Sequence, residues 1–118
     1  MSVTIKTVSS RKDFKTFARF ANRLYKGNKY YVPSMPMDDL STFSKEKNAA
    51  FEFSEAEFYL AYKDGEVAGR VAAIINHKAN DAWKVKQVRF GWIDFIDDLE
   101  VSAALLDAVI EFGRKAGM

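Results

Sequence analysis

The chain has 118 residues, of which 48% are hydrophobic, 29% are charged and none is cysteine, and its formal net charge is +2. This length and composition indicate one small domain covering residues 1–118. The absence of cysteine excludes disulfides, thiol catalysis and cysteine-ligated metal centres. The longest apolar runs have five residues, against the roughly 20 of a membrane-spanning helix, and the amino terminus lacks a signal-peptide core. We therefore expect a cytoplasmic protein that does not enter membranes.

The first part of the chain predicts a strand followed by two helices. Residues 3–8 show alternation and are rich in β-branched side chains, which predicts the strand. Ser10 and Asp13 have the spacing of a capping box at the start of the first helix. One apolar face of that helix contains Phe14, Phe17, Ala18, Ala21, Leu24 and Tyr25. Gly27 predicts its end, and Pro36 predicts the start of a second, shorter helix near 36–46.

The middle of the chain predicts a hairpin and a fourth strand. Residues 57–62 and 67–76 are β-rich and flank Asp64-Gly65, a dipeptide typical of tight hairpin turns. A polar loop containing His77 follows. The next β-rich run begins near Val85 and extends to position 96, with Gly91 placed where a bulge or a close backbone approach would need it.

The last predicted element is a helix that reaches Gly117. Asp97 is its expected N-cap, and Glu100 would complete a capping box. The element order is therefore β-α-α-β-β-β-α, an α/β (α+β) architecture with an antiparallel four-stranded sheet. Because the fourth strand would expose an open edge, we expect a truncation before a fifth strand or completion of the sheet by association, as in a homodimer.

Charge is distributed unevenly along the chain. Residues 1–35 contain eight Lys or Arg and one Asp, whereas residues 36–118 contain ten basic and fifteen acidic residues. Arg11, Lys15, Arg19 and Arg23 recur at every fourth position of the first helix, which aligns like charges on one face. This face is either solvated and balanced by acidic residues elsewhere or a site for phosphates and other polyanions. Nucleic acid is a disfavoured alternative, because no nucleic-acid-binding motif is present.

Three segments together resemble the GNAT-type N-acetyltransferase superfamily. They are residues 56–81 (AEFYLAYKDGEVAGRVAAIINHKAND), 88–95 (VRFGWIDF) and 97–109 (DDLEVSAALLDAV). More narrowly, the chain is similar to the amino-terminal half of uncharacterised bacterial GNAT-like proteins that carry Asp-Asp-x-Glu-Val after strand four. The resemblance implies transfer of an acyl group from acetyl-CoA or another acyl-CoA to a small-molecule or peptide amine. Acyl-CoA would enter between strand four and a fifth strand beyond this chain, so the chain alone would be inactive.

The resemblance also implies which residues meet the cofactor. Phe95 and Ile96 at the end of strand four would bind the pantetheine arm, and Asp97, Val101 and Ser102 would lie at the pyrophosphate. A helix amino terminus suits phosphate because its unpaired N–H groups converge there. Acidic residues stand here where the family usually has a glycine-rich basic loop. Simple helix capping, in a GNAT-like module without catalysis, is therefore the alternative.

Acyl transfer to an amine needs a base that removes the amine's proton. By the resemblance, Asp94 on strand four is the candidate catalytic base, and a solvent-facing strand residue is the alternative. Tyr30, Tyr31 and Trp92 are the candidate acceptor-binding residues, unless they anchor a long loop on the sheet. The adjacent aspartate pairs lack further ligands, so we expect no metal site.

Overall fold

A computed structural model of the protein describes residues 3–27 and 54–118. Its elements, in chain order, are β1 (Val3–Thr7), α1 (Arg11–Leu24), β2 (Ser54–Lys63), β3 (Glu66–Asn76), α2 (His77–Trp83), β4 (Arg89–Phe95) and α3 (Leu99–Lys115). The helix predicted near 36–46 lies outside the described residues. Among the described helices, none has the length and apolar character needed to cross a membrane.

The four strands form one antiparallel sheet in the order β1-β2-β3-β4. The predicted hairpin joins β2 to β3, with Lys63 paired with Glu66. Asp64 and Gly65 between them have φ values of 54° and 80°. A two-residue hairpin turn of type I′ requires positive φ at both central residues, which explains the Asp-Gly pair. The predicted α+β class and antiparallel four-stranded sheet are confirmed.

Helices α1 and α3 cover opposite faces of the sheet. The α1 face has a core in which Phe17, Phe58 and Leu60 are buried, and the rings of Phe17 and Phe58 meet edge to face at 5.3 Å. The α3 face has a second core, formed by Ala61, Ala68, Val71, Ala73, Val101, Leu105 and Val109. Each fully buried large side chain contributes about 1.5–3 kcal/mol. The two helices are therefore fixed on the sheet by their apolar faces.

Between β3 and β4 the structure differs from the prediction in two ways. The segment expected to be a polar loop is helix α2, whose N-cap Asn76 accepts a hydrogen bond from the backbone N–H of Ala79. β4 begins at Arg89 instead of near Val85. Asn80 accounts for the later start, because its side-chain amide donates to the backbone carbonyl of Gln87 and its backbone carbonyl accepts from the N–H of Val85. These hydrogen bonds keep residues 85–88 out of the hydrogen-bond pairing between β3 and β4.

The predicted cap of α3 is displaced by one residue. The N-cap is Asp98, whose side chain accepts from the N–H of Glu100. Glu100 is thus the second residue of the helix, and it lacks the third-position spacing of a capping box. Asp97 is exposed and precedes the cap.

A bulge interrupts β4 near the predicted position. Arg70 pairs with Asp94 and Ala72 pairs with Gly91, so one residue of β3 faces two residues of β4, Trp92 and Ile93. Trp92 has a φ of 50°, which is uncommon for a large side chain. The bulge therefore lies one residue beyond Gly91, and the residue with left-handed backbone is the tryptophan.

Candidate functional site

The end of β4 leads directly into α3 at the edge of the described sheet. Just after β4, the N–H of Ile96 donates to the carbonyl of Ala68 on β3 at 2.9 Å. α3 lies close to the sheet because Gly69 of β3 has no side chain. A Cβ atom there would stand 2.8 Å from Cδ1 of Leu105 and 3.1 Å from Cβ of Phe95. This close approach holds the start of α3 against the end of β4.

Asp98 occupies the amino terminus of α3. Its Oδ1 accepts from the N–H of Glu100 at 2.9 Å, and its backbone carbonyl accepts from the N–H groups of Val101 and Ser102. Its Oδ2 forms an ion pair with Lys63 at the end of β2. The hydrogen bond from Lys63 lowers the pKa of Asp98, and the same contact raises the pKa of Lys63. A carboxylate of this protein thus takes the place that an anion would take at a helix start.

The residues predicted to meet a cofactor differ in accessibility. The side chain of Phe95 is 38% exposed, and Asp97 is exposed. The side chain of Val101 is fully buried in the core beneath α3. The hydroxyl of Ser102 donates to the carbonyl of Leu99 at 3.1 Å. An approaching ligand would therefore meet the edge of Phe95 and the exposed Asp97 before the other positions.

Asp94 lies in a buried cluster on the α1 face of the sheet. Its Oδ2 accepts from Nε of Arg70 at 3.0 Å and lies 2.9 Å from Nη2 of the same residue. Its Oδ1 accepts from the hydroxyl of Tyr25 at 2.7 Å. The side chain of Asp94 is 17% exposed. Both carboxylate oxygens are thus held, and Oδ1 keeps one lone pair besides the one facing Tyr25.

Arg70 connects α1, β3 and β4 in this cluster. Its Nη1 donates to the carbonyl of Phe17 at 2.7 Å, and the residue is 4% exposed. The guanidinium carbon lies 5.2 Å from the ring centroid of Phe17 and 5.4 Å from that of Trp92. Both distances are within the range of cation–π attraction. Trp92 therefore packs over the ion pair, and Tyr30 and Tyr31, the other predicted acceptor residues, lie outside the described residues.

Sequence reasoning identified Asp94 but missed Arg70 and Tyr25. Arg70 is the sole charged residue between Val67 and Asn76 of β3. A cation in a strand that is otherwise apolar must be paired when it is buried. That rule would have predicted a carboxylate partner on a neighbouring strand.

Within the ranges 3–27 and 54–118, no three His, Asp or Glu side chains come close enough together to hold an ion. His77 forms an exposed pair with Glu55 at 2.7 Å.

Comparison with known proteins gives a distant relative. No family model matches the chain. The chain is similar to Protein YghO of Escherichia coli (strain K12), with 29% identity over 113 residues. The aligned region is 96% of this chain and 29% of that protein. The chain thus spans less than a third of the length of the curated relative that it matches.

Proposed function

We propose that the chain is the amino-terminal part of a GNAT-type N-acyltransferase, which transfers an acyl group from acyl-CoA to an amine. The observation that carries this proposal is the outer edge of β4, which pairs with no other described strand, is bulged at Trp92 and Ile93 and leads into α3. By the resemblance, the pantetheine arm lies along this edge, between strand four and a fifth strand. The sheet order and the helices on its two faces are compatible with that placement.

The β4 edge has the chemistry that a pantetheine arm needs. Strand edges present unpaired backbone N–H and C=O groups, which bind extended chains that carry amides. The bulge at Trp92 and Ile93 breaks the regular ladder and bends the strand. Phe95 and Ile96 follow the bulge and would form the contact. The proposal thus assigns cofactor binding to backbone groups more than to side chains.

Asp94 would accept the proton of the amine in this proposal. The amine nitrogen attacks the thioester carbonyl, the new C–N bond forms as the C–S bond breaks, and the proton passes from nitrogen to Oδ1 of Asp94. The leaving thiolate would receive its proton from a residue outside this chain, by the resemblance a tyrosine. Tyr25 and Arg70 fix the orientation of the carboxylate through their hydrogen bonds. Most of the rate gain would come from positioning the amine and the thioester.

A non-catalytic GNAT-like module is the second candidate, and one contact favours it. Asp98 and its partner Lys63 fill the helix start at which the family holds pyrophosphate. A carboxylate there repels a diphosphate and satisfies the N–H group of Glu100 that would bind it. Acyl-CoA binding therefore has to displace this carboxylate or occur beside it.

Titration with acetyl-CoA tests the two candidates. The variant Asp98→Ser keeps an N-cap residue and removes the charge, so we expect it to bind acetyl-CoA about tenfold more tightly than the unchanged chain, by calorimetry. Amide chemical shifts should move at positions 95–102. Asp107→Ser removes the same charge from an exposed site on α3 and should leave the affinity within a factor of two.

Two results would contradict the enzyme proposal. Absence of binding at millimolar acetyl-CoA, in the chain, in Asp98→Ser and in a longer protein that carries the proposed fifth strand, would favour the module. Binding by the longer protein without acyl transfer to any amine would assign the fold a carrier or sensor role.

A further inference from the structure

The outer surface of α1 is a continuous basic face. It consists of Arg11, Lys12, Lys15, Arg19 and Arg23, and we call these five residues the basic face. At 100° per residue they lie within an arc of about 120°, opposite the buried side of the helix. The row from Arg11 to Arg23 is about 18 Å long at 1.5 Å per residue. Four of the five are exposed, and Lys15 is partly buried.

No ion pair neutralises the basic face within residues 3–27 and 54–118. The five ion pairs found there involve other cations. The one acidic residue of α1, Asp13, is buried and pairs with Lys6 of β1 at 3.0 Å, and this hydrogen bond lowers the pKa of Asp13. Its charge is thus directed at the sheet and away from the outer face of the helix.

Four of the acidic residues that were expected to balance this charge lie across the sheet, whereas Asp94 on the α1 face is paired with Arg70. Asp97, Glu100, Asp107 and Glu111 are exposed on or just before α3, and α3 covers the face opposite α1. A whole sheet separates the two surfaces. Aligned cations repel one another by a few tenths of a kcal/mol per pair. Among the described residues the basic face therefore keeps a local field, which an external polyanion would neutralise.

We infer that the basic face binds the phosphate backbone of a nucleic acid without reading its sequence, a mode of binding that needs none of the motifs whose absence disfavoured this partner in the sequence. This inference does not depend on the acyltransferase proposal. A row of cations along a helix axis fits a linear polyanion, and neutralising its phosphates releases counterions. Three of the five cations are arginines, whose planar donors match phosphate oxygens.

The apolar side of α1 argues against a membrane surface as the partner. Basic amphipathic helices bind membranes by inserting that side among the lipids. In α1 it is packed on the sheet, with Phe17 and Ala18 fully buried. The arc between Arg11 and Arg23 also contains no aromatic residue. Without rings for stacking, contacts are restricted to phosphates, and binding is independent of sequence.

Fluorescence anisotropy with a labelled short DNA duplex of mixed sequence tests the inference. If the four residues Arg11, Lys15, Arg19 and Arg23 each neutralise one phosphate, the affinity should fall about 150-fold between 50 and 200 mM salt. The variant Arg19→Glu/Arg23→Glu should lose at least about 30-fold in affinity at the lower salt and about half of the salt slope. The variant Arg19→Gln/Arg23→Gln should bind with intermediate affinity.

The control carries the same change of net charge at other exposed positions. Lys86→Glu/Lys115→Glu should weaken binding by less than about threefold, since neither residue belongs to the basic face. Thermal unfolding of each variant checks that the fold is retained.

Three results would overturn the inference. The first is an equal loss of duplex affinity in Arg19→Glu/Arg23→Glu and in the control Lys86→Glu/Lys115→Glu. The second is the absence of duplex binding at low salt. The third is tighter binding to vesicles rich in phosphatidylserine than to the duplex. The first would indicate a nonspecific effect of net charge, and the last would assign the basic face to a lipid surface.

Discussion

At the scale of single residues, the buried ion pair between Arg70 and Asp94 decides how α1 meets the sheet. Arg70 contacts the carbonyl of Phe17 on α1 and the carboxylate on β4, and Tyr25 binds the same carboxylate from the end of α1. A buried ion pair adds little net stability, because desolvation offsets the attraction. Removal of one partner is costly, because the other charge stays buried. The pair therefore specifies the position of α1 more than it stabilises the fold.

We predict that Asp94→Leu lowers the free energy of unfolding by about 3 kcal/mol, because it leaves the Arg70 guanidinium without a counter-charge. The double variant Arg70→Met/Asp94→Leu should recover at least half of that loss, since it removes both charges and fills the space with apolar atoms. Urea denaturation of the single and double variants measures both values. A double variant less stable than Asp94→Leu would mean that the two residues act independently.

At the scale of elements, α3 is placed by two glycines. Gly69 of β3 admits Leu105, and Gly113 of α3 admits Val88, which precedes β4. A Cβ on Gly113 would lie 2.7 Å from Cγ1 of Val88 and 2.9 Å from its Cβ. Val88 is branched at Cβ, so it cannot move these atoms aside by a simple rotation. The backbone of α3 at Gly113 therefore packs directly against the side chain of Val88.

We predict that Gly113→Ala lowers the free energy of unfolding by about 1 kcal/mol. Alanine gains about 1 kcal/mol in helix propensity, but overpacking costs about 1–3 kcal/mol, and with Val88 this close the second effect should dominate. In a Val88→Gly background, which removes both the Cβ and the Cγ1 atom, the same change should instead stabilise by up to about 1 kcal/mol. Thermal or urea unfolding of the four proteins measures this reversal of sign, and a loss in both backgrounds would exclude Val88 as its cause.

The elements differ in how far the sequence could predict them. The hairpin and α1 were predictable because their signals are local: Asp64-Gly65 at the turn and an apolar repeat along the helix. Helix α2 was missed because its seven residues lack an apolar face, and only the Asn76 cap marks its start. The contacts of Asp94 with Arg70 and Tyr25 join residues 24 and 69 positions apart. Such contacts depend on sheet register and helix placement, which local patterns do not encode.

At the scale of the whole molecule, the flank between β4 and α3 is apolar and uncovered by other described residues. Leu99, Leu106 and Ile110 are exposed on α3 within an arc of about 40°. This arc adjoins Gly113, which contacts Val88, so it lies on the side of α3 nearest β4. Phe90 and Phe95 are exposed on β4 itself, Phe90 to 54%. An unpaired strand edge beside such a surface favours association with another strand.

We predict that the 118-residue chain self-associates through this flank, with a second copy bound at the β4 edge. Phe90→Lys places a charge on the β4 edge and should shift the chain toward monomer in sedimentation velocity at equal concentration, because edge lysines oppose strand pairing. Trp83→Lys removes an even more exposed ring from α2 and should leave the distribution unchanged. A chain that is monomeric and stable before any substitution would contradict the prediction. Association that persists in Phe90→Lys and disappears in Trp83→Lys would move the interface from the β4 edge to α2.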